Sequence, residues 1–300
     1  MATPAPIALF VYNRLQHTRQ TLAALQSNEL AAESDLHIFS DAPKTAAAAD
    51  SVQAVRDYIR TLGGFRSVRI IEQPRNLGLA QSIIGGVTEV CNGAGRVIVL
   101  EDDLVTSPSF LRYMNQMLDL YANDEPVASI HGYCYPTKAE LPRTFFLRGG
   151  DCWGWATWQR SWRHFEPDGR KLLAQLRSRR LEREFDLDGA MPFTRMLQEQ
   201  IAGTNDSWAI RWHAGCFLAG RLTLYPGRSL VHNIGNDSSG THGSATEVFS
   251  NQLTADSRSW ERVEVRESAQ ARSAFAEFLR GPQPGIFRRL VSRVASRVRA

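Results

Sequence analysis

No stretch of this 300-residue chain approaches the ~20 consecutive apolar residues that span a bilayer, so no transmembrane helix is expected. The N-terminus lacks a basic stretch followed by an apolar core and does not read as a secretory signal. A cytoplasmic protein is expected. Cysteine is scarce: Cys91, Cys134, Cys152 and Cys216 lie far apart and form no C-x-x-C pair. That spacing offers neither a zinc site nor a disulfide framework, and the four are read as reduced and mostly buried. No internal repeat is present. Acids are missing from residues 281–300, which carry five arginines. These exceed the whole net charge of +4. The basic character therefore belongs to a tail and gives no ground for a nucleic-acid partner.

What is present is an ordinary globular composition, 43% hydrophobic and 22% charged, enough for one large domain or two smaller ones. The first half alternates short β-rich runs with helical patterns. Residues 7–12 (IALFVY), 36–39 (LHIF), 68–71 (VRII) and 96–100 (RVIVL) read as buried strands, the signature of an α/β fold with a mostly parallel sheet and flanking helices. Ser107 reads as a helix N-cap with Pro108 at the first helical position, leading into an apolar-periodic stretch up to Tyr121. From about residue 127 the pattern changes to short strands, aromatics and loops. Trp153, Trp155, Trp158 and Trp162 fall within ten residues of one another, residues 163–200 read as a polar, solvated helical element, and Gly281–Gly285 separates the tail. The expected division is residues 1–125, 126–280 and 281–300.

In an open α/β sheet, ligands bind beyond the carboxyl ends of the strands. Those ends run into Asn13-Arg14, Ser40-Asp41, Arg75-Asn76-Leu77-Gly78 and Glu101-Asp102-Asp103, which together suit a charged, hydrogen-bonding ligand. Three consecutive carboxylates repel one another unless a cation or a donor-rich ligand sits among them. Hard oxygen ligands of this kind select Mg²⁺ or Mn²⁺, with substrate phosphates completing the shell. The plain alternative is a solvated acidic turn.

In this order along the chain, VYNR (11–14), FSDAPK (39–44), RNLGLAQSI (75–83) and VIVLEDD (97–103) resemble the GT-A domain of family 2 glycosyltransferases. The EDD form is similar to that of N-acetylglucosaminyltransferase I. Downstream, GWATW (154–158), NDSWAIRW (205–212) and LVHNIGNDSSGTH (230–242) resemble the second half of a bacterial subgroup of such enzymes. The resemblance implies a metal-dependent, inverting transfer of a sugar from a nucleotide-diphosphate donor to a glycan or lipid-linked acceptor hydroxyl, in bacterial surface glycan synthesis. It implies that Asn13, Arg14 and Asp41 hold the nucleotide, Asp41 on the base, that Asn76 and Gly78 shape a turn beside it, that Asp102 faces the ribose or donor sugar, and that Glu101 is a further sugar-nucleotide contact. Asp103 would bind Mn²⁺ or Mg²⁺. A C-terminal histidine joins the metal in many such enzymes, which points to His242 ahead of His232.

Trp153 and Trp155 have two readings, core beneath the site or an apolar sugar-binding platform, and Trp155 is carried as a sugar-nucleotide contact. Asp206 is the expected general base, because Trp208 and Trp212 would exclude water from it and raise its pKa. Its plain reading is a helix cap, and Asp151, Glu199 and Asp237 are the substitutes. Two other functions compete. A nucleotidyltransferase usually opens with a glycine-rich loop after the first strand, and Asn13–His17 contains none. A catalytically inactive carbohydrate-binding protein could keep the same fold. Finally, residues 286–300 place apolar residues at helical spacing among arginines, a pattern suited to peripheral contact with an anionic membrane.

Overall fold

The computed structural model describes residues 3–237, 247–253 and 259–281. His242 and the stretch 286–300 lie outside them. The four expected strands are β1 (Ile7–Val11), β2 (Asp35–Ser40), β3 (Ser67–Glu72) and β4 (Arg96–Glu101), linked by helices α1 (Leu15–Gln26), α2 (Ala49–Ile59) and α3 (Leu79–Ala94). They pair in parallel in the order β3-β2-β1-β4. Successive side chains of a strand point to opposite faces, and both faces are covered. Ile7, Leu9 and Val11 pack with Leu22 and Leu25 of α1 and Val55 and Ile59 of α2. Ala8 and Phe10 pack with Ile83, Val87 and Val90 of α3. Burial on both sides is why these strands read as continuous apolar runs.

The rest of the chain extends the same sheet. In chain order come β5 (Leu104–Thr106), α4 (Phe110–Leu120), β6 (Val127–His131), β7 (Thr144–Arg148), β8 (Trp155–Trp158), α5 (Gln159–Trp162), α6 (Gly169–Ser178), α7 (Glu182–Phe185), α8 (Phe193–Ile201), α9 (Trp208–Leu218), β9 (Leu222–Pro226), β10 (Val231–Asn233) and α10 (Ala269–Arg280). The full order is β3-β2-β1-β4-β8-β6-β9-β7. Strand β8 lies antiparallel between β4 and β6, and β7 is antiparallel at the edge; the other six strands run one way. The sheet is thus continuous through residue 125, the expected division. Strands β5 and β10 form a separate antiparallel ribbon. Among the described residues no helix is long and apolar enough to cross a membrane.

Ser107 Oγ accepts the Ser109 N–H at 3.4 Å and its carbonyl accepts the Phe110 N–H at 3.0 Å, so the turn that enters α4 begins at Ser107-Pro108, with the regular helix from Phe110. Two expectations are corrected. Residues 163–200 are helical but not simply solvated. Leu172, Leu176, Phe185 and Leu197 bury themselves against Ile210 and Phe217 of α9 as a small core of their own. Trp155 is 0% exposed, with ring centroids 5.5 Å from both Trp208 and Trp212 and 5.8 Å from Trp162. It fills the core under the sheet and touches no ligand space. The cause is the insertion of β8 into the middle of the sheet, where both faces are covered.

Candidate functional site

Strands β1 to β4, β6 and β9 end on one rim, and antiparallel β8 begins there. The rim therefore gathers Asn13-Arg14, Asp41, Glu101-Asp102-Asp103, His131, Trp153 and Tyr225 from segments far apart in the chain.

The acid turn is internally countered. Arg14 Nη2 donates to Asp102 Oδ1, and to Asp103 Oδ2 at 2.8 Å. Burial alone would lower the affinity of the Arg14 guanidinium for its proton, but Asp102 and Asp103 more than offset this and hold it charged. Asp102 is 4% exposed. Burial pushes its carboxyl up to about 6 in spite of Arg14, with Asp103 adding to the rise. Burial also raises Glu101, with Asp103 and Asp102 next and Arg14 opposing. The repulsion expected among three carboxylates is thus relieved in part by one guanidinium. From α1, the Thr21 hydroxyl donates to the Asp102 carbonyl at 2.8 Å and holds the turn in place.

The β5–β10 ribbon carries a second segment onto this turn. The Ile234 N–H donates to the Asp103 carbonyl at 2.9 Å. A Cβ on Gly235 would lie 2.2 Å from Asp103 Oδ2 and 3.2 Å from Arg14 Nη1. Only glycine lets the backbone lie against the carboxylate. Arg14 Nη1 is buried without a hydrogen-bond partner among the described residues, a donor left over for an anion. His232 is occupied otherwise, its Nδ1 accepting the Asn251 N–H at 3.3 Å.

Asp41 serves the chain itself. Oδ1 accepts from the N–H groups of Ala42 and Leu77, both at 2.9 Å, and Oδ2 accepts from Gly78 N–H at 2.9 Å and Asn76 Nδ2 at 3.0 Å. Asn76 Nδ2 also donates to the Ala42 carbonyl at 2.7 Å. A carboxylate has about four acceptor sites, and these bonds use them, so the expected contact between Asp41 and a nucleotide base is replaced by a positioning role. The carboxylate fixes the 76–78 turn, where Gly78 adopts φ 77° and ψ 162°, a conformation essentially reserved for glycine. Asn13 lies half-buried in the turn between β1 and α1. Asp41→Ala strands buried donors and is expected to lower unfolding free energy by about 3 kcal/mol, with Asp41→Asn intermediate. Urea denaturation measures this; an Asp41→Ala midpoint equal to wild type would contradict it.

Asp206 is not desolvated. Its side chain is 69% exposed and faces Arg211 at 3.6 Å, while the cap of α9 is Ser207, whose Oγ accepts the Ile210 N–H at 3.2 Å. The tryptophans turn into the core and leave the carboxylate in solvent, which corrects the expected mechanism for making Asp206 a strong base.

Asp151 occupies the position that the sequence left open. Its Oδ2 accepts the Tyr225 hydroxyl at 3.0 Å, its Oδ1 accepts the Cys152 N–H at 2.8 Å, and Oδ1 lies 3.7 Å from His131 Nε2. His131 Nε2 accepts the Trp153 N–H at 3.0 Å, so Nδ1 carries the hydrogen and donates to the Tyr133 carbonyl at 3.0 Å. Burial lowers the His131 pKa and keeps the ring neutral. Burial, then Asp151, raises Tyr225, which remains a phenol donor. The approach to Asp151 depends on two glycines: Gly149 has φ 104°, and Cβ atoms at 149 and 150 would lie 2.4 Å from His213 and 2.5 Å from Trp212. Next to it, the Cys152 thiol is raised by burial first and then by Asp151, Glu101 and Asp103. His131 and Tyr225 were not singled out in the sequence; the Gly149-Gly150-Asp151 step was the one local signal.

No protein-family model matches the chain. No curated protein matches it either. Among solved structures, the chain is similar to the mannosyltransferase PcManGT from Pyrobaculum calidifontis in complex with GDP-Man and Mn²⁺, at 15% identity and a TM-score of 0.32 over 44% of this chain and 35% of that one. It is also similar to S. aureus TarS, at 13% identity and a TM-score of 0.32 over 49% of this chain and 25% of that one. TarS residues 1–349 give 12% identity and a TM-score of 0.31 over 59% of this chain and 49% of that one. The chain thus spans less than half the length of each.

Proposed function

We propose that the chain is a GT-A glycosyltransferase that moves a sugar from a nucleotide diphosphate to an acceptor hydroxyl with inversion. The observation that carries this reading is the acid turn at the end of β4, where Arg14 bridges Asp102 and Asp103 and keeps one donor to spare; a separate, half-buried carboxylate, Asp151, is held by Tyr225 and the Cys152 N–H. The first suits a charged leaving group and the second suits proton removal.

The acid turn suits a divalent metal in its donor set. Asp103 and Asp102 offer hard oxygens, and among the described residues no group of three His, Cys, Asp or Glu converges on one point. One or two carboxylates with substrate phosphates are the usual arrangement for Mg²⁺. Asp103, with Asp102 beside it, would hold the ion, which when bound supplies Lewis-acid stabilisation of the departing diphosphate. Arg14, with a donor to spare, would bind a phosphate oxygen. Asp151 takes over the role first read for Asp206: it accepts the hydroxyl proton as the acceptor oxygen attacks the anomeric carbon and the bond to the diphosphate breaks. The Tyr225 hydroxyl and the Cys152 N–H fix the carboxylate for this.

The direct test is donor hydrolysis across a panel of nucleotide-diphosphate sugars with Mn²⁺ and with EDTA. At least one donor is expected to be hydrolysed, and EDTA is expected to suppress this at least ~100-fold, the scale of several kcal/mol of charge stabilisation. Saturable donor binding with no turnover, even with acceptors present, would leave only a sugar-nucleotide-binding protein.

A further inference from the structure

A cavity of about 200 Å³ opens beside Asp151 and Trp153, between the sheet, helices α7 to α9 and helix α10. Its walls are mainly apolar and rich in aromatic rings, among them Tyr135, Phe185, Phe193, Phe217, Tyr225 and Phe275. Resting on the function proposed above, we infer that this cavity binds the acceptor, and that the acceptor is an alcohol without an anionic group that seats an apolar body about one ring in size.

Size sets the first limit. An apolar cavity of ~150 Å³ accommodates a benzene molecule, so this one seats a single ring with a short arm. Charge sets the second. The charged wall residues are Asp151, Glu184, Glu267, Arg148 and Arg272, and both cations are already engaged. Arg148 bonds Glu184 at 2.7 Å and the Phe217 carbonyl at 3.0 Å, and its guanidinium lies 4.1 Å from the centroid of the Phe217 ring. Arg272 is paired with Asp188 and lies 3.8 Å from Glu267. The acids outnumber the cations, so a phosphate or carboxylate entering the cavity would meet repulsion, and each arginine already has an acid partner. An apolar body suits the walls, and one polar group on it can reach Asp151, the wall carboxylate with no cation partner among the described residues. A hydroxyl in that position donates its proton to the proposed base. Helix α10 contributes Arg272, Phe275 and Leu279 to the wall, so the same helix that closes the cavity limits what enters it.

The test measures equilibrium binding of benzyl alcohol by ligand-detected NMR, against hexanoate. Saturable binding of benzyl alcohol near ~1 mM is expected, with hexanoate at least ~10-fold weaker. Ala209→Phe, which fills the cavity from α9, is expected to weaken benzyl alcohol at least ~10-fold; Met196→Trp fills it from α8 should the first variant not fold. Non-saturable binding, binding unaltered in both filled variants, or hexanoate binding as tightly as the alcohol would overturn the inference. Donor hydrolysis is read separately: if benzyl alcohol binds as expected and no donor turns over, the cavity assignment stands and the transferase reading falls. Donor turnover without alcohol binding gives the reverse.

Discussion

Asp151→Asn is expected to reduce sugar transfer by roughly 10²- to 10⁴-fold, the usual loss on removing a general base, while nucleotide-diphosphate affinity stays within about twofold. The substitution is nearly isosteric. The amide oxygen can still accept from Tyr225 or Cys152, so the loop should fold and the loss should fall on kcat. Asp206→Asn is the control, because a carboxylate 69% exposed and paired with Arg211 has no environment that sharpens it as a base. Its transfer rate is expected within about twofold of wild type. Steady-state kinetics on both variants separate the two assignments: a large loss in Asp206→Asn with normal kcat in Asp151→Asn would return the role to Asp206. A variant that loses donor binding and rate together would make Asp151 a donor contact.

The second large effect is expected at Asp103. Asp103→Ala should abolish Mn²⁺ binding as read by electron paramagnetic resonance in the presence of nucleoside diphosphate. Donor hydrolysis should fall by roughly 10²- to 10³-fold, corresponding to several kcal/mol of lost charge stabilisation. Arg14 would keep Asp102 as a partner, so the turn need not collapse, and a melting temperature close to wild type would show that the loss is chemical. Mn²⁺ binding equal to wild type would remove Asp103 from the metal site.

The strands of the first half were legible because each is a short apolar run, buried on both faces and bounded by helical patterns. Their carboxyl ends named the rim, and Arg14 with Asp102 and Asp103 came together there. Two kinds of information were out of reach. The fate of a carboxylate depends on what the fold brings to it: Asp41 looked available for a nucleotide until the 76–78 turn supplied donors to both its oxygens. Trp155 looked like a sugar platform because a cluster of tryptophans says nothing of depth, and depth follows from a pairing between β8 and β4 that no local pattern encodes. Asp151 was ambiguous for the same reason, since Tyr225 and His131 reach it from other strands.

The position of β8 also bears on the order of assembly. Strands β1 to β4 are made first, yet β4 then presents a bare apolar edge, open to any other strand. Its native neighbour arrives only after β6 and β7 have been synthesised, with Arg96 facing Trp158 across the pair. Such a long-range pairing incurs its loop-closure entropy before its contacts form. The seam of this sheet therefore runs through its centre, and the step that joins β4 to β6 is also the step that carries the Asp151 loop to the rim holding the acid turn. Until that seam closes, the two carboxylate sites belong to separate pieces of chain.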